Sequence, residues 1–277
     1  MSGIVKTDIF EVGRVSYTEP KANSHGGKSI YLNYNGKPMT FQTPKMPLPF
    51  GMGRWESKDG SGVVKYSLDL SFREMAENEE VREFKRKMEE LDEKLIKDGV
   101  KNSLSWFKKK SANEEVMREL YTPQVKVSKN KDTGEPNTKY APTFKIKMPY
   151  QDAEKTFTCE VYNNAKQRVS VEEGIVKGAT VQVLMKCTGV WFAGGKYGIS
   201  WKAHQIKVTP PQGLQGYSFV EDESEIHESR PDATPVSQVH ATAVEESETE
   251  ETAADEEEEE EEEVEVQKPV KRLAGKR

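Results

Sequence analysis

The chain has 277 residues and a formal net charge of −6, a figure that hides two opposite halves. From residue 217 onward 21 acids face 6 bases, a net of −15, while residues 1–216 carry 35 bases against 26 acids, a net of +9. A basic body attracts polyanions, and an acidic appendix competes with them for the same surface. Two isolated cysteines, Cys159 and Cys187, argue against a disulfide framework or a zinc site.

No apolar run approaches the ~20 residues of a membrane-spanning helix, and the opening MSGIVKTDIF has neither the basic nor the apolar region of a secretory signal. A soluble, intracellular protein that neither is secreted nor meets a membrane is expected. Two domains are expected: a basic body over 1–216 and an acidic segment over 217–277.

In chain order, the first element is a hairpin. Residues 28–34 (KSIYLNY) and 37–43 (KPMTFQT) flank Asn35-Gly36, the pair that best tolerates the positive φ angles of a type I′ turn. Residues 44–55 (PKMPLPFGMGRW) hold three prolines and two glycines, which predicts an ordered loop presenting Phe50 and Trp55 beside Lys45 and Arg54. A strand over 63–70 follows. Ser71 and Glu74 have capping-box spacing, predicting a helix over about 74–97 whose stripe is Val81, Phe84, Met88, Leu91 and Leu95. Asp98-Gly99 reads as its stop. The stripe packs on the body or, since it also fits two heptads, on a partner helix in a homodimer. The first is the expectation.

Beyond Tyr121 the period changes to strands. Residues 122–128 alternate, with Val125 and Val127 on one face, and 143–148 and 155–162 alternate again. Residues 180–192 and 196–208 make a long hairpin around Gly194-Gly195. At least seven strands with one inserted helix and no strand–helix alternation predict a mainly β fold, a closed or partly closed antiparallel barrel.

After Pro210-Pro211-Gln-Gly the periodicity is gone; residues 221–265 hold all 21 acids of the tail, and eight consecutive glutamates run from 256 to 263. Such a composition cannot bury enough apolar area to offset its ordering entropy, so disorder is expected there.

Enzyme signals are weak. His25-Gly-Gly-Lys-Ser29 resembles half a phosphate loop, but Ala22 stands where that motif needs glycine and a strand follows it. The four histidines are dispersed, and no catalytic motif, cofactor or metal is expected. The nucleic-acid signal is instead distributed, with aromatics interleaved among bases. Sequence-tolerant single-strand binders need a cationic track for the backbone and exposed rings for the bases. Phe50, Trp55, Trp191, Phe192 and Tyr197 are the stacking candidates, and Lys45, Arg54, Lys186, Lys196 and Lys202 the phosphate contacts. Alternation cannot bury both Trp191 and Phe192, because neighbours on a strand face opposite sides. Lys126, Lys129, Lys131, Lys139, Lys145 and Lys147 are either an electrostatic stripe or an ordinary solvated face.

The stretch KGATVQVLMKCTGVWFAGGKYGISWKAHQIKV, with FQTPKMPLPFGMGRW upstream, resembles the single-stranded DNA-binding proteins of large eukaryotic DNA viruses, especially those infecting algae. These are thought to be distant relatives of the acidic-tailed single-stranded DNA-binding protein of short-tailed phages. The resemblance spans about residues 28–210. It implies an OB-type barrel with an inserted helix that coats single-stranded DNA in replication, recombination and repair, in the host nucleus or a cytoplasmic replication site. It also implies an acidic tail that occupies the DNA groove and recruits partners such as polymerase, helicase or primase. The partner-binding residues would be Glu256, Glu257, Glu258, Glu259, Glu260, Glu261, Glu262 and Glu263. One departure matters: the phage tails end on an aromatic residue, whereas this chain ends KPVKRLAGKR, which reads as an import signal or a clasp on the glutamates. The alternative function is an acidic-tailed chaperone or adaptor for basic proteins such as histones.

Overall fold

The computed structural model describes residues 3–22, 28–58, 62–130 and 133–211. The acidic segment, its basic end and residues 25–27 of the half phosphate loop lie outside the described residues. Eleven strands form the main sheet: β1 (Ile4–Lys6), β2 (Thr40–Gln42), β3 (Met46–Leu48), β4 (Met52–Glu56), β5 (Val64–Ser71), β6 (Val125–Lys126), β7 (Thr143–Met148), β8 (Glu160–Tyr162), β9 (Arg168–Val169), β10 (Ala179–Ala193) and β11 (Lys196–Thr209). The hydrogen-bonded path runs β1-β2-β10-β11-β7-β5-β4; β3 joins β10, β6 joins β7, and β8 lies between β11 and β9.

The fold is mainly β, as expected, but the closed antiparallel barrel is corrected. The sheet is open, ending at β1 and β4. It is also mixed, since β1–β2, β7–β11 and β8–β11 pair in parallel. The physical reason lies at the edges. The three-residue β1 is too short to carry a ladder further, and β4 ends in exposed Arg54, Trp55 and Glu56, side chains that solvate an edge rather than extend it.

The long β10–β11 hairpin organises the core. Val181, Val183 and Met185 on β10, with Ile199, Trp201 and Ala203 on β11, point inward and are buried. Two register shifts, at Leu184/Met185 and Cys187/Gly189, leave His204 and Thr188 without a residue opposite them in the ladder, although Thr188 Oγ1 donates to the Ser200 carbonyl at 2.9 Å. At the second, Gly189 has φ 110° and a Cβ there would sit 2.6 Å from the Ile30 carbonyl oxygen, so only glycine lets that segment cross.

The helix is displaced from its expected bounds. α1 spans Glu79–Lys101, capped by Asn78, whose side chain accepts from the amides of Glu80 and Val81 at 3.0 and 3.3 Å. Ser71 remains in β5, its Oγ taking the Arg73 amide at 3.2 Å, so the capping box is a turn. Asp98 and Gly99 do not stop the helix; both are buried inside it, with Gly99 leaving room for the Tyr197 ring. The five-residue stripe is buried as read, with Phe84 centred 5.7 Å from Phe41 and 5.2 Å from Phe144. It is therefore covered by the chain's own sheet and closed to a partner helix. Two short helices, α2 (Ser103–Phe107) and α3 (Glu114–Leu120), follow.

Other expectations change in detail. Asn35 (φ 49°) and Gly36 (φ 75°) make the expected turn, but its ladder holds only Asn33–Pro38 and Tyr34–Lys37 before the chain crosses to β10 as β2. The proline-rich loop contains β3, against β10, and the edge strand β4, against β5. Prolines sit in it because β3 is short and β4 lies beyond the last of them. Residues 122–128 form only the two-residue β6, leaving Val127 exposed.

Candidate nucleic-acid interface

Residues paired across neighbouring strands share a face, so register shows which side chains stand together. On the face turned away from α1, Lys147 of β7 is opposite Lys202 of β11, which is opposite Lys186 of β10, followed by Thr40 of β2. Inward neighbours confirm the side: Ile146, Trp201 and Met185 are all buried. Lys147 and Lys202 are exposed and Lys186 is half-buried. None of the three forms an ion pair with a described residue, although the described salt bridges are numerous elsewhere on the surface. Like charges placed directly opposite in a sheet are destabilising. Lys145 differs, because it faces Asp69, whose carboxyl is pushed up by burial against the pull of Lys145 and Lys126.

Aromatic groups flank this row. Toward the hairpin tip the same face carries Trp191, opposite Gly198; a Cβ on Gly198 would come within 2.8 Å of the indole, so glycine gives the half-buried ring its seat. At the edge, Trp55 is 43% exposed, stands opposite Lys65, and has that ammonium 5.1 Å from its ring centroid. It shares its face with Gly53 and Ser67, which lead to Lys147.

The remaining expected residues fall elsewhere. Tyr197 is corrected: it is 0% exposed, wedged between Phe107 and Tyr121 at 4.9 and 5.1 Å, and cannot stack on a base. Phe192 points to the same inner side and packs on Phe107 at 5.4 Å. Trp201, within the aromatic hairpin, is likewise core. Phe50 is 61% exposed in the turn before β4. Arg54 lies on the opposite face from Trp55, its proton held more firmly by hydrogen bonds to Glu56 and Tyr66. Lys45 and Lys196 are exposed, between β2 and β3 and at the hairpin tip. Lys131 lies outside the described residues, and Lys139 stacks on Tyr140 at 5.4 Å.

Sequence reading missed that Lys147 joins Lys186 and Lys202. The alternation of TFKIKM put Lys147 on a polar face, but only the parallel β7–β11 pairing brings it opposite Lys202. It also missed a recess of about 230 Å³ one row away, lined by Gln42, Gln182, Gln205 and Tyr162 among others.

Residues 69–221 match a family model described as a family of unknown function, DUF5871. The match takes in more than half of the chain, including Lys147, Lys186, Lys202 and Trp191. The chain belongs to this family. The family model begins after Trp55, so the edge aromatic lies outside it. No curated protein matches.

Among solved structures, the single-stranded DNA-binding protein of bacteriophage Enc34 in complex with ssDNA is similar at 12% identity and a TM-score of 0.38, over 71% of this chain and 97% of that one. A second structure of the same phage protein gives 13% identity and 0.37, over 76% and 99%. Gp2.5, a single-stranded DNA-binding protein of bacteriophage T7, gives 10% identity and 0.37, over 66% and 98%.

Proposed function

We propose that residues 1–216 form a non-catalytic domain that binds single-stranded DNA across the outward face of the sheet. The observation that carries this reading is the row Lys147–Lys202–Lys186, three ammonium groups on adjacent strands, none in an ion pair with a described residue. A phosphate backbone laid across the row supplies the missing countercharge and releases condensed ions. Trp55 and Trp191 on the same face offer rings to unstacked bases, which a duplex keeps inside its stack. Phe50, Lys45 and Lys196 extend the contact at the edges.

The segment 217–277, with Glu256–Glu263 at its heart, acts as a tethered competitor for the lysine face. Its net −15 opposes the body's +9, and tethering gives it a high effective concentration. Long single strands displace it, and the released glutamates then meet basic surfaces on a polymerase, helicase or primase. The resemblance to viral single-stranded DNA-binding proteins supports a place in viral DNA replication, recombination and repair.

The test is fluorescence anisotropy with labelled oligo-dT, duplex DNA and RNA, on the full chain and on a chain ending at residue 216. Preference for oligo-dT over duplex, and tighter binding after truncation, are expected. Equal binding of duplex would contradict the single-strand reading; unchanged or weaker binding after truncation would contradict the competitor role.

A further inference from the structure

We propose that the recess beside the lysine row is a subsite for one unstacked nucleobase bearing an exocyclic amine, such as cytosine. This rests on the single-strand reading above and adds a chemical preference to it.

The recess lies on the outward face and has a volume of about 230 Å³. Its position follows from register. Two residues along from Lys186 on β10 stands Leu184, flanked by Gln42 of β2 and Gln205 of β11. The next row holds Gln182, Lys207 and, on β8, Tyr162. Rows on one face are about 7 Å apart, so a base in the recess would leave its phosphate beside Lys186 and Lys202. The bulge carrying His204 falls between the two rows, and bulges commonly re-aim side chains beside sites.

Two of the three amide groups are already oriented. Gln182 Nε2 donates to the Thr43 carbonyl at 3.2 Å, and Gln205 Nε2 donates to Glu160 Oε2 at 2.9 Å. Each Oε1 is thereby left as an acceptor that takes no hydrogen bond from a described residue. Gln42 makes no side-chain hydrogen bond to a described residue at all. Tyr162 donates to the same Glu160 oxygen at 2.9 Å, which fixes its ring at the wall. Leu184 gives an apolar floor. The held acceptor oxygens of Gln182 and Gln205 over an apolar floor match the two amine N–H groups of cytosine N4 or adenine N6, whereas thymine offers a single ring N–H. Asn163, Lys166 and Lys207 also line the recess. Recognition by amide side chains leaves the charge of the lysine row for the phosphates.

The test uses the full chain, with labelled oligo-dC and oligo-dT of equal length at two salt concentrations. Wild type is compared with Gln42→Leu and Gln205→Leu. Each variant is expected to weaken oligo-dC binding by about fivefold, the scale of one lost hydrogen bond, with oligo-dT binding and the salt slope unchanged. Gln42→Leu breaks no side-chain hydrogen bond to a described residue, so its result does not hinge on folding. A dC-to-dT ratio identical in wild type and both variants would overturn the subsite while leaving single-strand binding intact. Absence of binding to either oligonucleotide by wild type would instead sink the underlying reading.

Discussion

Trp201 Nε1 donates to Gln124 Oε1 at 2.6 Å, and the next residue, Lys202, stands at the centre of the lysine row on the opposite face. Gln124 is held in turn by Asp92 of α1, which accepts from Gln124 Nε2 at 2.5 Å, from the Gln124 amide at 3.1 Å and from Tyr121 at 2.6 Å. A buried polar chain thus pins α1 to the strand that presents the row. Satisfied networks of this kind fix one arrangement, and breaking a member leaves costly orphans.

Gln124→Leu is therefore expected to destabilise the fold by about 2–4 kcal/mol, because the indole N–H and Asp92 both lose a buried partner. Urea unfolding followed by tryptophan fluorescence reads this directly, and a loss within error of zero would count against the network's role.

Asp92 adds a pH signature. Burial pushes its carboxyl up to about 6, outweighing the hydrogen bonds from Tyr121 and Gln124 that favour the charge. Its folded value lies above the unfolded 3.8, so the folded state binds the extra proton between them and this contribution weakens as pH rises through that window. The stability of wild type relative to Asp92→Asn is expected to shift in favour of wild type by about 2 kcal/mol as pH falls from about 6 to about 4. A pH-independent difference would contradict it.

Lys186→Ala, Lys202→Ala and Lys147→Ala are each expected to weaken single-strand binding while raising stability by about 0.5 kcal/mol, because each relieves repulsion across the row. Thermal unfolding and binding titrations on the same preparations separate the two effects. A variant that loses both would mark its lysine as structural.

Two aromatics expected to act alike should part company. Trp55→Ala is expected to cost about 1–3 kcal/mol in single-strand binding without loss of stability. Tyr197→Phe should leave binding unchanged and stabilise the fold by about 1 kcal/mol, since the buried Tyr197 hydroxyl has no hydrogen-bond partner among the described residues. Reversed results would return Tyr197 to the interface.

The parts legible in the sequence were those governed by local periodicity. The Val81–Leu95 stripe, the Asn35-Gly36 turn and the 180–208 hairpin each follow from residues close together in the chain. Alternation also separated Trp191 from Phe192, which do lie on opposite faces. What failed depends on distant residues. Tyr197 is core because Phe107 and Tyr121 close over it, and no spacing near Tyr197 signals that. Barrel closure failed because strand count does not say which edges meet. The lysine row needed parallel pairing between Lys147 and Lys202, whose strands are separated by β8, β9 and β10.

The central claim is tested most directly by the salt dependence of oligo-dT binding to the full chain and to its Lys147→Ala/Lys186→Ala/Lys202→Ala variant. Removing three ammonium groups that each neutralise one phosphate of a single strand should reduce the slope of log K against log salt by about 2, with weaker binding and an intact fold. An unchanged slope in the triple variant would show that the phosphate backbone does not cross this face.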